Sequence, residues 1–383
     1  MSVTAAAGFR AAGVAAGLKA AGLDVALVVN DGPSDVAAAV FTANRIKAAP
    51  VRWTQQVTAD GRLRAVVLNS GGANACTGPD GFGDTHVTAE RVAKACGIGA
   101  GDVAVCSTGL IGERLSIERL LAGVDAAADA LSLEGGDAAA EAIRTTDTVT
   151  KQAALVHIDG WTVGGMAKGA GMLAPGLATM LCVLTTDAAV DQSTVDSALR
   201  AATSRTFDRV DADGCMSTND TVLLMAGGAS EVHPDPAEFA RALEDVCRDL
   251  AAQLIADAEG ATKEVAVEVV GAASEDDAVE VGRSIARNNL LKCALFGNDP
   301  NWGRVLAAIG TTSAAFDPDD LEVAMNGIEI CRGGAAGEPR ELVDLSGRAV
   351  RIRVHLHAGQ SEATIWTNDL SHGYVEENSA YSS

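Results

Sequence analysis

The segment Lys168–Thr186 constrains this chain more than any other, because a loop of small residues runs directly into an apolar run. Its first half is rich in Gly, Ala and Pro, whereas the run from Met180 has the composition of a buried strand. Thr179 stands at the junction, directly after the small residue Ala178. The pattern fits an ordinary loop before a strand. It also fits a precursor that bends until the Thr179 hydroxyl attacks the preceding carbonyl and cuts the chain.

Cleavage before Thr179 would give the threonine its own base. The freed α-amine would lie beside the hydroxyl of the same residue, which is a minimal pair of nucleophile and base. An α-amine has a pKa of about 7.7–8.0, whereas a lysine ammonium has a pKa near 10.4. The new amine is therefore the better base at neutral pH, and Lys168 is not needed in that role. The β-branched side chain also restricts the direction in which the hydroxyl points.

Composition narrows the class of protein. The chain has 383 residues and 48% hydrophobic content, which predicts two or three folded units around a large core. A net charge of −22 argues against nucleic acid and anionic membranes as partners. The eight cysteines form no CxxC pair and predict reduced thiols. We find no signal-peptide pattern, no membrane span and no metal-binding pattern, and therefore expect a cytoplasmic protein without a metal.

Short strand-like runs alternate with helical patterns, which predicts an α/β or α+β fold. The clearest helix is Pro236–Ala258, capped by Asp235 and carrying apolar residues at spacings of three and four. A second helix is expected over Asp276–Cys293. The loop Gly271–Glu275 separates two predicted structural units, a core over 1–272 and a smaller C-terminal α+β unit over 273–383.

Several longer motifs stand in a fixed order along the chain. They are LNSGGANACTG (68–78), CSTGLIG (106–112), TTDT (145–148), STND (217–220), GNDPNWGR (297–304) and the tail YVEENSAYSS (374–383). Together with the Lys168–Thr186 segment, they resemble the ornithine acetyltransferase family from about Gly8 to the last residue. The resemblance implies a four-layer α/β/β/α sandwich. It also implies a mature protein of two chains, 1–178 and 179–383, which transfers acetyl from N-acetylornithine to glutamate.

The segment Cys106–Gly112 is a strand end followed by a glycine-containing turn. Gly109 would let a ligand approach the backbone N–H closely, and Thr108 adds a hydroxyl. Taken alone, the residues also fit a plain β-turn. The resemblance implies that Thr108 and Gly109 form the oxyanion hole, the set of donors that stabilises the charge formed when an acyl carbonyl is attacked.

The resemblance also implies five substrate-binding residues besides Thr179, each of which has a plainer structural explanation. Lys168 could be a solvated lysine, Thr145 a helix boundary, and Glu259 an exposed helix end or a partner of Lys263. For the two tail residues, Asn378 and Ser383, disorder is the default expectation. The chain departs from the family pattern at Arg144, where an apolar residue is expected, and this places only the packing beside Thr145 in doubt.

The implied reaction is a double displacement through acetyl-Thr179 in the cyclic pathway of arginine biosynthesis. An aminopeptidase or amidohydrolase of the same fold, which admits water, is the nearest alternative, and a self-processed amino-acid-binding protein is a second one. No cofactor is expected, although acetyl-CoA stays open as a further acetyl donor. The small-molecule substrates are the expected partners, and the family implies an assembly of two copies of each chain or more.

Overall fold

The computed structural model of the chain describes residues 2–174 and 180–380. These residues divide into two compact units, and the division does not follow the chain strictly. The first unit comprises the described residues within 1–208 and 215–254, and the second comprises those within 209–214 and 255–382. None of the helices in this part of the chain combines the length and the apolar character that a membrane span requires.

The first unit contains two sheets. Their strands are β1 (Phe9–Val14), β2 (Val25–Asn30), β3 (Val36–Phe41), β4 (Ala65–Asn69), β5 (Val103–Ser107), β6 (Lys151–Val156), β7 (Thr162–Lys168), β8 (Leu181–Thr186) and β9 (Thr221–Ala226). One sheet has the order β1-β2-β4-β5, and the other has the order β3-β9-β8-β7-β6. Both are mixed, because β4–β5 and β8–β9 are parallel pairs and the other pairs are antiparallel.

The two sheets pack face to face through a shared apolar core. Phe9, Val28 and Leu68 from the first sheet lie in the same buried cluster as Met166 and Val183 from the second. Because side chains alternate along a strand, the residues of opposite parity point outward and need a covering layer. The helices supply that layer on both sides.

Six helices belong to this unit: α1 (Ala49–Val57), α2 (Gly78–Cys96), α3 (Ile117–Asp129), α4 (Gly136–Ala142), α5 (Gln192–Arg205) and α6 (Pro236–Ala256). Helices α1, α2 and α3 cover the outer face of the first sheet, where Leu27 and Val67 pack with Val92 and Val124. On the second sheet, α5 packs against β3, and Leu250 of α6 lies over Gly165. The layers are therefore α/β/β/α, as the sequence resemblance implied.

The second unit is built on one six-stranded sheet with helices. Its elements are β10 (Glu264–Ala272), α7 (Glu275–Ala286), α8 (Asn289–Phe296), α9 (Trp302–Ile309), β11 (Glu322–Met325), β12 (Ile328–Arg332), β13 (Ala335–Ala336), β14 (Ala349–His355), β15 (Ser361–Asn368) and α10 (His372–Ala380). The strand order is β13-β12-β11-β14-β10-β15. Val267, Ile352 and Ile365 lie in its core together with Val281 and Ile285 of α7.

Two sequence expectations need correction. The boundary expected at residue 272 falls too late, because β10 pairs with β14 and β15 and therefore belongs to the second unit. The single helix expected over Asp276–Cys293 is two helices, α7 and α8. The Asn288 side chain accepts a hydrogen bond from the Leu291 N–H at 3.0 Å and so begins a new helix where the first one ends.

Leu68 tests the importance of the core between the two sheets. Its side chain is fully buried, so Leu68→Ala should lower the free energy of unfolding by about 2–5 kcal/mol through lost burial and a residual cavity. Leu133→Ala, at a leucine that is 66% exposed, should change it by no more than about 0.5 kcal/mol. Chemical denaturation of both variants measures the difference, and equal losses would contradict the assigned packing.

Candidate active site

The turn after β5 is shaped by close backbone approach. Gly109 has a φ of +130°, and a Cβ at this position would lie 2.5 Å from the Gly72 nitrogen, so only glycine fits. The Thr108 N–H donates to the Asn69 carbonyl, and the Thr108 carbonyl accepts from the Gly72 N–H, both at 3.0 Å. The backbone of Thr108 is thus held through both its N–H and its carbonyl group.

The loop after β4 and the loop after β5 are joined along their length. The Ala73 N–H donates to the Leu110 carbonyl at 3.0 Å, and the Gly112 N–H donates to the Ala75 carbonyl at 2.9 Å. Asn219 connects the same two regions of the chain a third time. Its buried amide donates to the Ala73 carbonyl at 2.6 Å and to the carbonyl of Ser107, the last residue of β5, at 2.8 Å. This Asn is the third residue of the STND motif. The motif therefore ties the two loops together.

Two donors of this turn remain suited to an incoming oxyanion. Among the described residues, no acceptor is bonded to the Gly109 N–H. The Thr108 hydroxyl oxygen accepts a hydrogen bond from Lys168 Nζ at 3.2 Å, which leaves its own hydrogen free to be donated. The structure therefore brings together Thr108, Gly109 and Lys168, three of the residues that the sequence singled out. A backbone N–H and a hydroxyl held in place are the donor types that stabilise an oxyanion.

Lys168 is the last residue of β7, and its side chain is 97% buried. It lies on the same face of the strand as Met166, which is part of the core between the sheets. The plain reading of Lys168 as a solvated side chain is therefore wrong. The ionised carboxylate of Asp147 interacts electrostatically with the Lys168 ammonium group and so compensates its burial.

Asp147 organises the surroundings of Lys168. One carboxylate oxygen accepts from Lys151 Nζ at 2.7 Å and from the Gly169 N–H at 2.6 Å, and the other accepts from the Thr145 N–H at 3.0 Å. Burial acts to raise the pKa of Asp147, but the charges of Lys168 and Lys151 and the Gly169 N–H outweigh it and lower that pKa to about 2. Asp147 therefore stays ionised and joins the Thr145 turn to the end of β7.

Arg144 has a structural reason for departing from the family pattern. Its guanidinium donates to the Asp147 carbonyl at 2.7 Å and to the Thr148 carbonyl at 3.0 Å, and it pairs with Glu141 at 2.6 Å. These bonds close the turn that contains Thr145. Arginine thus supplies by hydrogen bonding the order that an apolar residue would supply by packing.

Asp220 lies beside the strand that follows the predicted nucleophile. The carboxyl group is fully buried, and one oxygen accepts the Met180 N–H at 3.1 Å. The hydroxyl groups of Ser217 and Thr42 also act on this carboxyl group and favour its charged form. Burial raises the pKa of Asp220 well above its usual range, against the opposing hydrogen bond from Met180. Asp220 therefore holds the N–H of Met180, the first described residue after position 179.

Three of the predicted residues lie outside the described residues. They are the two residues of the scissile bond, Ala178 and Thr179, and the terminal Ser383. Their neighbours in the chain define the ends of the segment. Lys168 of β7 pairs with Leu181 of β8 in an antiparallel register, so the predicted cleavage position lies in the sequence between two adjacent strands.

The remaining two predicted residues meet in the second unit. The Asn378 amide donates to a Glu259 carboxylate oxygen at 2.9 Å. Glu259 is 92% buried and lies in the turn after α6, which ends at Ala256 rather than at residue 258. Lys263, the ordinary partner considered for Glu259, donates instead to the carbonyl groups of residues 345–347. The α10 segment of the tail is thus anchored at Glu259.

Sequence reasoning missed Asp147, Asn219 and Asp220 as site residues. All three stand inside motifs that it had noticed, TTDT and STND, so the signal was an acid or amide within a conspicuous motif. One group of side chains outside the candidate active site could bind a metal ion, but the evidence for it is weak. Within the described ranges, His157, Asp159 and Glu238 are the one group whose ligand atoms could reach a common cation, and Asp159 is exposed.

The chain is similar to proteins of one family over nearly its whole length. The ArgJ family model matches residues 10–383. The arginine biosynthesis bifunctional protein ArgJ of Streptomyces avermitilis is 67% identical over 384 residues, which covers 100% of both chains. The protein of the same name from Mycobacterium tuberculosis strain H37Rv is 61% identical over 389 residues, which covers 100% of this chain and 96% of the relative.

One solved structure is also similar. It is a chain of the arginine biosynthesis bifunctional protein ArgJ from Bacillus halodurans, which is 38% identical and has a TM-score of 0.50. The match covers 52% of the present chain and 98% of the solved chain. The solved polypeptide is therefore about half as long as the present one.

Asp147→Asn should make the protein less stable and less sensitive to acid. The folded pKa of about 2 lies below the unfolded value near 3.9, so the carboxylate stabilises the fold above about pH 4. That stabilisation, about 2–3 kcal/mol, is lost as the pH falls from about 4 to 2. Removing this partner of two buried ammonium groups should cost about 3–5 kcal/mol at pH 7.

Chemical denaturation at several pH values measures both effects. Asp196→Asn is the matched control, because Asp196 pairs with Arg200 on the surface of α5 and should contribute less than about 1 kcal/mol. A similar loss in both variants, or an unchanged acid limb in Asp147→Asn, would contradict the role assigned to the buried carboxylate.

Asp220 should act as a neutral acceptor. Because its pKa is raised, Asp220→Asn keeps an uncharged oxygen for the Met180 N–H and should retain most of the rate of cleavage between 178 and 179. Asp220→Ala removes the acceptor and should slow cleavage by about tenfold or more, the equivalent of about 1.4 kcal/mol. Timed mass spectrometry of the precursor follows both rates. Equal slowing in the two variants would show that a charged carboxylate is required.

Proposed function

The chain belongs to the ArgJ family, and from that premise we propose that it transfers the acetyl group of N-acetyl-L-ornithine to L-glutamate in arginine biosynthesis. The observation that carries this proposal is the arrangement in the first unit. The Thr108–Gly109 turn offers two oxyanion donors, and buried Lys168 lies against it at the end of β7. The neighbouring strand, β8, begins two residues after Thr179.

The chemistry assigned to Thr179 follows from its position at a new chain end. The α-amine takes the hydroxyl proton while the oxygen attacks the acetyl carbonyl. The carbonyl oxygen becomes negatively charged and is stabilised by the Thr108 hydroxyl and the Gly109 N–H. Collapse breaks the amide bond, ornithine leaves with the proton, and acetyl-Thr179 remains. Glutamate then attacks this ester through its amine, and its lost proton returns to the Thr179 oxygen.

The predicted substrate-binding residues of each unit, taken separately, match charged groups of the two substrates. The buried cation Lys168 is suited to a substrate carboxylate, and Thr145 is held near it through Asp147. Glu259 is suited to the side-chain ammonium of ornithine, and Asn378 orients that carboxylate by a hydrogen bond. We also assign Ser383 to substrate binding, on the basis of the tail motif alone.

Family membership favours the transferase over a hydrolase of the same fold. In a hydrolase, water would take the place of glutamate as the acceptor, and acetyl would be released as acetate. The transferase must keep water away from acetyl-Thr179, which calls for a closed site. The high burial of Thr108 and Lys168 is consistent with this need.

Self-cleavage between Ala178 and Thr179 is part of the proposal. The half-length solved chain of the Bacillus halodurans relative supports it, because two chains of 178 and 205 residues would each be about half of this one. We further propose an assembly that contains two copies of each chain, a cytoplasmic location, and acetyl-CoA as an additional acetyl donor to glutamate.

Mass spectrometry of the purified protein tests the mechanism. We expect two chains, and after incubation with N-acetylornithine alone we expect one acetyl group on the peptide that begins with Thr179. Thr179→Ala should remain one chain and show no transfer, because both the nucleophile and its amine are lost. The proposal would be contradicted by an active protein that consists of one uncut chain. It would also be contradicted by an acetyl group on a residue other than Thr179.

Acceptor dependence separates the two enzyme classes. Release of ornithine over many turnovers should require glutamate, and acetylglutamate should form in equal amounts. Sustained release without glutamate, with acetate as the product, would identify a hydrolase instead.

A further inference from the structure

A cavity of 440 Å³ lies in the first unit, beside the loop that leads into α2. Three cationic side chains, Arg45, Lys47 and Arg52, lie in its wall, and none of the described lining residues is acidic. The lining also includes three residues of the loop before α2, namely Cys76, Thr77 and Gly78. These three residues end the LNSGGANACTG motif, which the proposed mechanism uses only in part.

The described carboxylates leave these three cations unpaired, and Arg52 lies over the Phe82 ring at 6.0 Å from its centroid. Within the described residues, no carboxylate forms an ion pair with Arg45, Lys47 or Arg52, although acidic residues outnumber basic ones by 51 to 29. Elsewhere in the chain, Arg114 binds Asp84 and Arg287 binds Asp211. Arg45 and Arg52 are exposed and Lys47 is half-buried, so an anion in the cavity can be bound without first breaking an ion pair of the protein.

The size and the residue types of the cavity define the class of anion. Its volume is within the range of about 300–1,000 Å³ found for small-molecule sites, and it exceeds the volume of a single phosphate ion. Guanidinium groups bind phosphate oxygens in a bidentate manner. Ile46, which is 59% exposed, and Ala49 add an apolar surface on which a ring could lie.

We propose that this cavity binds a small molecule that carries at least two phosphate groups, such as a nucleoside diphosphate. The site lies on the loop that also supports the oxyanion turn, since Ala73 and Ala75 of that loop exchange hydrogen bonds with Leu110 and Gly112. Binding of such a molecule in this cavity does not require that the protein transfers acetyl groups. Only the conclusion that the bound molecule is an acyl donor rests on the proposed acetyl transfer.

Isothermal titration of the purified full protein with ADP, coenzyme A and pyrophosphate tests the site. We expect one molecule bound per site, with an affinity that falls as the KCl concentration rises, because the contacts are ionic. The double variant Arg45→Ala/Arg52→Ala should bind at least tenfold more weakly. Arg241→Ala, at an exposed arginine of α6 outside the cavity, should bind as the wild type does. Circular dichroism and thermal unfolding establish that both variants are folded.

The source of the phosphate groups follows from competition. Displacement of ADP by acetyl-CoA would identify an acyl donor as the occupant, whereas ADP binding that acetyl-CoA does not affect would identify a nucleotide. Either result supports a phosphate site. No binding of any probe at millimolar concentration, or equal binding by the double variant, would overturn it. The titration measures binding and needs no acetyl transfer. A protein without transferase activity would therefore contradict the proposed function and leave the phosphate site to be judged by the titration alone.

Discussion

The interaction on which the candidate site depends is one buried carboxylate shared by two ammonium groups. Moving an ion from water into a protein interior costs several kcal/mol, and close partners must compensate for it. Asp147 meets this need with both oxygens, because it accepts from Lys151 and from the N–H groups of Thr145 and Gly169, and it faces the charge of Lys168. Without Asp147, Lys168 would be a buried cation with less compensation. The position of Lys168 against Thr108 would then be hard to maintain.

The Thr108–Gly109 turn depends on a second, uncharged set of contacts. Asn219 binds one carbonyl in each of the two loops, and the loops bind each other through Ala73 and Gly112. Donors that are fixed before the substrate arrives need no reorganisation during the reaction, which is why such donors are effective. Gly109 permits the close approach, since any side chain there would collide with Gly72. Rigidity of this turn therefore comes from contacts between distant segments of the chain.

Local patterns were enough to predict some of the elements, and motifs were enough to predict the family. The apolar stripe of α6 and its Asp235 cap depend only on neighbours in the chain, and both are present. The four-layer arrangement required the resemblance, because periodicity does not say which sheets pack together. The break between α7 and α8 was missed, since Asn288 was not recognised as a cap. Asn219 was missed as a site residue because its partner Ser107 lies 112 positions away.

Asp147 and Asp220 show how one residue type serves two purposes in the same unit. Both are buried, yet cations and N–H groups lower the pKa of Asp147 to about 2, whereas burial raises the pKa of Asp220 well above its usual range. A charged Asp147 is needed because it compensates two lysines. A neutral Asp220 can hold the Met180 N–H without placing a further negative charge in the interior of the unit. The opposite pKa shifts therefore match different electrostatic requirements, since Asp147 must compensate buried cations and Asp220 only has to accept a hydrogen bond.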